Sequence, residues 1–104
     1  MAALERFYAE NASMQENQSA PRIGKPALLA HESAAQACVT NMTARCTRPF
    51  LIEGDTVVFR WTFDYVDGRG RPVHFEELAY QRWVGELIGD EQFFYDPAQF
   101  KPRA

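Results

Sequence analysis

The stretch that decides the fold spans residues 56–97 and reads TVVFRWTFDYVDGRGRPVHFEELAYQRWVGELIGDEQFFYDP. From Val57 to Tyr65 every second residue is apolar, and the polar residues Arg60 and Asp64 lie between them. This alternation is typical of an antiparallel strand with one buried face. Gly-containing turns divide the rest of the stretch, so the sequence predicts three consecutive strands at 56–66, 72–84 and 88–95.

The faces that these strands would bury carry carboxylates as well as aromatics. The second and third strands place nine residues on that side: Val73, Phe75, Glu77, Ala79, Gln81, Trp83, Glu91, Phe93 and Tyr95. Burying a carboxylate is costly unless it is paired, and two carboxylates in an aromatic cavity raise the pKa of at least one of them. The pattern therefore predicts the concave wall of a pocket. The alternative is that the opposite face, with Leu78 and Tyr80, points inward and the glutamates are solvated.

The preceding segments predict two helices and two further strands. We expect helices at 2–9 and 26–37, strands at 13–17 and 42–52, and a loop at 17–24. The inner helix faces would be formed by Leu4, Phe7, Tyr8, Leu28, Leu29 and Ala35. Helices gathered before a run of strands are typical of an α+β protein, in which the helices pack on one face of an antiparallel sheet. We expect the chain after Pro97 to be frayed or docked on a neighbouring element.

The composition limits the size and the partners of the protein. A chain of 104 residues is expected to form one domain, 1–104. Its formal net charge of −3 argues against a nucleic acid as the main partner, because nucleic-acid binding usually needs a basic face. No run approaches the roughly 20 apolar residues that span a membrane, and no signal peptide is visible. We therefore expect a cytoplasmic protein without a membrane partner.

The sequence has no motif for a metal or a cofactor. Cys38 and Cys46 have no clustered His or Cys beside them, so we expect two reduced, partly buried thiols and not a zinc site. His31 and His74 have no partner at ligand or triad spacing. No phosphate-binding glycine loop and no nucleophile elbow is present. We expect neither a metal ion nor a cofactor.

Four segments resemble a known family: FYAENASMQEN (7–17), PRIGKPALLAHE (21–32), FEELAYQRW (75–83) and EQFFYDPAQ (91–99). They are similar to the SnoaL-like branch of the nuclear transport factor 2-like superfamily, which also contains ketosteroid isomerases and polyketide cyclases. The resemblance implies a cone-shaped, curved antiparallel sheet wrapped around N-terminal helices, also described as a cystatin-like roll. It further implies a pocket at the open end of the cone and dimers formed through the outer face of the sheet.

The resemblance also implies a longer first helix ahead of residue 2, which this sequence does not contain. Either the sequence is a piece that lacks this helix, or the natural protein is short. Loss of the helix would expose apolar surface that a partner chain has to cover. We therefore expect a homodimer.

The resemblance places Glu16 where ketosteroid isomerases carry a general-base carboxylate, a role that needs a pKa set by apolar surroundings. Alternatively, Glu16 caps the 17–24 loop or pairs with Arg22. The isomerase mechanism also needs a tyrosine and a protonated carboxylic acid. The tyrosine belongs to the early helical part that is missing here, and Ala79 takes the place of the acid. The resemblance therefore does not imply isomerase activity.

Two functions remain from the sequence. The first is binding of a small hydrophobic or cyclic ligand in the cone, with isomerase- or cyclase-like acid–base chemistry by Glu16, Glu77 or Glu91. The ligand-binding residues would be Met14, Trp61, Phe63, Gln81, Trp83, Phe93 and Tyr95. The alternative is a non-catalytic dimerisation or interaction module.

Overall fold

The structure, a computed structural model, describes residues 2–100. In chain order the elements are α1 (Ala2–Phe7), β1 (Tyr8–Glu16), β2 (Arg22–Ile23), α2 (Lys25–Ala37), β3 (Thr40–Glu53), β4 (Thr56–Val66), β5 (Pro72–Val84), β6 (Leu87–Phe94) and a short 3-10 helix (Pro97–Phe100). Two helices and a single sheet make this an α+β fold, as the sequence predicts.

The sheet is curved and unclosed, with six strands in the order β2-β1-β6-β5-β4-β3. Strands β3 to β6 form the predicted four-stranded antiparallel meander, and their bounds lie close to those predicted. The last strand is Leu87–Phe94 and not 88–95. On the other side of β6, β1 pairs with it in parallel, and the two-residue β2 extends the sheet within the predicted 17–24 loop.

The N-terminal boundaries were predicted wrongly. The first helix ends at Phe7 and not at residue 9, and the strand that follows is Tyr8–Glu16 and not 13–17. Strand β1 has partners in β6 from Tyr8, which faces Ile88, to Glu16, which faces Phe93. Pairing with a strand that is distant in sequence therefore overrides the local helical pattern.

The register of the sheet settles which side chains point inward. Residues directly opposite each other in neighbouring strands share a face. Phe63 faces Phe75, and Gln81 faces Glu91. Every second residue of β5 on this side is buried or half-buried, whereas the alternate residues from His74 to Val84 are exposed. The predicted inner face is confirmed, and the alternative with Leu78 and Tyr80 inside is wrong.

The core lies between the two helices and β1. Four buried residues form it: Leu4, Ala12, Met14 and Leu28. Tyr8, Ala9, Leu29 and Phe93 pack against this cluster. Ala35 was expected to point inward but is exposed. Helix α2 packs on β1, β2 and α1, and its last residues, 33–37, are all open to solvent.

A row of aromatic rings runs along the inner face of the sheet. Phe59, Trp61, Phe63 and Phe75 follow one another with ring centroids 5.6–5.7 Å apart. Phe100 of the 3-10 helix lies 4.7 Å from Phe75, so the chain after Pro97 docks on the sheet as far as residue 100.

Both cysteines are free and exposed, and not partly buried as expected. Cys46 lies on β3, an edge strand with nearly every residue exposed, and Cys38 follows the exposed end of α2. The edge position explains the exposure, since β3 has a neighbouring strand on one side only.

Replacing Leu28 by Ala tests this core. Leu28 is fully buried, so we expect Leu28→Ala to lower the free energy of unfolding by about 3 kcal/mol through lost burial and the cavity left behind. The neighbouring, half-buried Leu29 provides the matched control, and Leu29→Ala should cost about 1 kcal/mol. Urea denaturation measures both. Equal losses in the two variants would contradict the placement of the core.

Candidate functional site

Glu91 is a buried carboxyl group at the centre of the inner face, with 2% of its surface exposed. The Tyr8 hydroxyl donates a hydrogen bond to its Oε1, and the Gln81 amide donates to its Oε2 at 2.6 Å. The Trp83 indole N–H in turn donates to Gln81 Oε1 at 3.1 Å. Both oxygens of Glu91 therefore have a hydrogen-bond partner, although no cationic side chain within residues 2–100 forms an ion pair with them.

Three strands bring these side chains together. Gln81 of β5 and Met14 of β1 both lie directly opposite Glu91 of β6. The register of β1 shifts between Tyr8 and Ser13, and that of β5 shifts between Arg82 and Trp83. Such bulges change the direction of the side chains beside them. Tyr8 and Trp83, the two outer members of the network, both stand at a bulge.

Glu77 is the second carboxyl group on the inner face and has a different environment. It is half-buried on β5, directly opposite Trp61. Within residues 2–100, it takes part in none of the hydrogen bonds or ion pairs between side chains. Burial, followed by repulsion from Glu91, Glu16 and Glu32, raises the pKa of Glu77 to about 8.

Burial also raises the pKa of Glu91, while the hydrogen bonds from Tyr8 and Gln81 act in the opposite direction. For Tyr8, burial and then the charge of Glu91 raise the pKa of the hydroxyl group well above its ordinary value. Tyr8 therefore keeps its proton and serves as a donor. Within residues 2–100, the inner face thus holds one carboxyl group with two hydrogen-bond donors, Glu91, and one without a donor, Glu77.

Glu16 lies at the end of β1, at the rim of this site. Its Oε1 is 3.7 Å from Arg22 Nη1 and 3.6 Å from His31 Nε2, and about a third of its side chain is exposed. The pairing with Arg22 that the sequence left open as an alternative is present. The charge of Glu16 still reaches Glu77, because it contributes to the raised pKa of that group.

The residues predicted to bind a ligand divide into two groups. Trp61, Phe63, Gln81, Trp83 and Tyr95 lie on the inner face or at its edge, and Tyr95 packs edge-on against Phe75. Met14 and Phe93 share this face by register, but Met14 belongs to the core cluster and Phe93 packs against it. The first group forms an aromatic wall beside Glu77, in which the rings of Trp61 and Phe63 are stacked at 5.7 Å.

Sequence reasoning missed Tyr8 and Glu32. It placed the tyrosine of an isomerase-like site in a missing segment, whereas Tyr8 of this chain reaches Glu91. Tyr8 had been assigned to a helix face, and only its pairing with β6, far along the sequence, shows its role. Glu32 is a half-buried residue of α2 whose charge acts on both Glu77 and Glu91.

A separate groove of about 510 Å³ lies at the other end of the sheet. It is lined by residues 50–53 and Thr56 of the β3–β4 hairpin and by Val58 and Tyr80. Val58 and Tyr80 face each other on the outer side of the sheet. The groove therefore does not contain the carboxyl groups of the inner face.

Within residues 2–100, no three His, Cys, Asp or Glu side chains are grouped so that they could hold a metal ion. Over the same residues, the structure has no helix with the length and apolar character needed to cross a membrane.

The chain belongs to the SnoaL-like domain family, whose sequence profile matches residues 1–89. A comparison with curated protein sequences gives no significant match. Solved structures with the same fold are numerous. The family and the fold that the sequence predicted are thus confirmed.

Three solved structures illustrate the likeness. A protein of Mesorhizobium loti, assigned as a SnoaL-like polyketide cyclase, is 22% identical with a TM-score of 0.75; the match covers 90% of this chain and 83% of that one. IdmH of Streptomyces antibioticus, assigned as a polyketide cyclase, is 20% identical with a TM-score of 0.78 and coverages of 94% and 81%. A protein of Catenulispora acidiphila with a ketosteroid isomerase-like fold, in complex with trimethylamine, is 18% identical with a TM-score of 0.82 and coverages of 93% and 75%. At these identities the likeness establishes the fold.

The raised pKa of Glu77 sets the sign of a pH dependence. The folded protein keeps the Glu77 proton up to about pH 8, whereas an ordinary glutamate releases it near 4.5. The contribution of Glu77 to the free energy of unfolding should therefore be largest below about pH 4.5 and should fall between about pH 4.5 and pH 8. Glu91, whose pKa is also raised, adds to this loss with the same sign.

Glu77→Gln removes the Glu77 contribution. We expect the variant to be more stable than the parent at about pH 9, by roughly 2 kcal/mol after allowance for solvent screening, and equally stable at about pH 4. Urea denaturation across this range measures the difference. Glu86→Gln, in the exposed β5–β6 turn, is the control and should leave the pH dependence unchanged. An identical pH dependence in Glu77→Gln and the parent would refute the assignment.

Proposed function

We propose that this SnoaL-like domain binds a small hydrophobic or cyclic molecule against the aromatic wall of the inner face and transfers protons there through Glu77. The observation that carries the proposal is the Glu77 carboxyl group, which lies opposite Trp61, has a pKa raised to about 8 by burial and neighbouring charges, and has no hydrogen bond within the described residues.

The chemistry follows from the protonation state of Glu77. A carboxyl group with a pKa near 8 is mostly protonated at neutral pH and can donate a proton or a hydrogen bond to a ligand oxygen. After donation, its carboxylate can accept a proton from carbon or from a hydroxyl group. General acid–base catalysis works best when the pKa lies close to the working pH, and Glu77 meets this condition. This supports isomerase- or cyclase-like proton transfer without a cofactor.

The ligand class is supported by the wall and by the relatives. The stacked Trp61 and Phe63 rings offer a flat apolar surface, which suits a planar or cyclic molecule. Two of the structural relatives are assigned as polyketide cyclases, and this assignment supports a cyclic ligand. Glu16 is a further candidate at the rim, where it pairs with Arg22 and lies 3.6 Å from His31 Nε2.

Hydrogen exchange into an enolisable ketone tests the proposed chemistry. In D₂O, the protein should accelerate deuterium incorporation next to the carbonyl carbon of 2-tetralone, a flat bicyclic ketone, as measured by proton NMR. Glu77→Gln should lower the accelerated rate at least about tenfold, because the group that moves the proton is lost. Glu86→Gln should retain the rate. Acceleration that is absent, or that survives in Glu77→Gln, would contradict the proposal.

A second candidate function, formation of a homodimer through the outer face of the sheet, is favoured by the apolar residues exposed there. Leu78, Tyr80 and Phe94 have exposed fractions of 43%, 47% and 37%, and Leu78 lies directly opposite Phe94. Adjacent exposed apolar side chains of this kind often mark an interface.

The two free cysteines fit a reducing compartment, and we propose a cytoplasmic location.

Light scattering combined with size-exclusion chromatography tests the dimer. We expect the parent chain to have the mass of two copies and Leu78→Glu to have the mass of one, because a charge would be buried in the interface. Glu76→Gln, an exposed outer-face position on the same strand, is the control. A monomeric parent chain would exclude this interface.

A further inference from the structure

The hydrogen-bond chain from Trp83 through Gln81 to Glu91 has a fixed direction. An indole N–H can only donate, so the oxygen of the Gln81 amide must face Trp83 and its NH₂ group must face Glu91. Glu91 Oε2 is consequently limited to accepting a hydrogen bond. Its Oε1 accepts a hydrogen bond from the Tyr8 hydroxyl.

We propose that Trp83 and Gln81 are positioning residues of this site, which hold Glu91 in one orientation and thereby reserve Glu77 for proton exchange with the ligand. The inference rests on the proposed function, in which Glu77 is the group that exchanges protons. Trp83 fixes the Gln81 amide, and Gln81 and Tyr8 each donate to one oxygen of Glu91. Glu91 then acts on Glu77 only through its charge.

The burial of Gln81 supports a positioning role. Gln81 has 7% of its surface exposed on a face that is otherwise largely aromatic, where an apolar side chain of similar volume would fill the space without the cost of burying an amide. Its amide makes hydrogen bonds at both ends, to Trp83 and to Glu91. An amide held in this way orders the carboxyl group beside it.

In the described part of the chain, hydrogen bonds and charges from four strands and helices act on the two glutamates. Glu91 accepts hydrogen bonds from Tyr8 of β1 and Gln81 of β5, and the charge of Glu32 of α2 raises its pKa. The charges of Glu91, Glu16 and Glu32 raise the pKa of Glu77. Because Gln81 lowers the pKa of Glu91, and the charge of Glu91 raises the pKa of Glu77, we expect loss of the Gln81 hydrogen bond to raise the pKa of Glu91 and to lower that of Glu77.

Carbon-13 NMR titration of the glutamate carboxyl groups measures this effect, with Glu77→Gln and Glu91→Gln used to assign the signals. Gln81→Met keeps the side-chain volume but removes the donor, and Trp83→Phe releases the amide from its anchor. In both variants we expect the titration midpoint of Glu91 to rise and that of Glu77 to fall, each by about half a pH unit or more. Tyr80→Phe, on the outer face of the same strand, is the control.

The two variants act on different hydrogen bonds of the chain, one at the donor to Glu91 and one at the anchor of that donor, so the test stays valid if one of them folds poorly. Midpoints that stay at the parent values, or that move together in one direction, would overturn the proposal, because a purely structural role of Gln81 predicts no opposed shift. The titration needs no ligand. If the two midpoints move in opposite directions but the protein does not accelerate ketone exchange, only the proposed function is refuted. If the protein accelerates ketone exchange but the midpoints do not move in opposite directions, only the positioning role is refuted.

Discussion

The parallel pairing of β1 with β6 is the constraint on which the site depends. It converts residues 8–16 into a strand, places Met14 beside Glu91 and carries the Tyr8 hydroxyl to the Glu91 carboxyl group. It also closes the small core, since Ala12 and Met14 of β1 pack with Leu28 of α2. A buried carboxyl group without donors would cost several kcal/mol. The pairing supplies one of the two donors that make the burial of Glu91 tolerable.

As a result, the two carboxyl groups of the inner face, Glu91 and Glu77, have different environments. Glu91 is buried and has a hydrogen bond on each oxygen, whereas Glu77 is half-buried beside Trp61 without such a partner in the described chain. Pairs of carboxyl groups whose surroundings differ in this way commonly divide acid and base roles. The charge of Glu91, together with burial, keeps Glu77 protonated near neutral pH. Geometry and electrostatics therefore agree on which group would exchange a proton.

The sequence allowed much of the sheet and part of the site to be predicted. The alternation in β4 and the turns on either side of β5 are local signals, and they indicated the strands, the inner face and the position of Glu77 on it. Tyr8 could not be predicted, because AALERFY has a helical pattern and its partner lies 83 residues further along the chain. The exposure of Cys46 and Ala35 depends on which elements cover an edge strand or a helix end. The local sequence around these residues does not reveal that.

The central claim is that Glu77 is protonated at neutral pH, and infrared spectroscopy tests it most directly. A protonated carboxyl group has a C=O stretching band that a carboxylate lacks. The account predicts such a band for the parent protein at about pH 7, its loss at about pH 9.5 and its loss in Glu77→Gln at neutral pH. Glu53→Gln, on the exposed edge strand, should retain it. A parent spectrum without the band at neutral pH, or a band that persists unchanged in Glu77→Gln, would contradict the account.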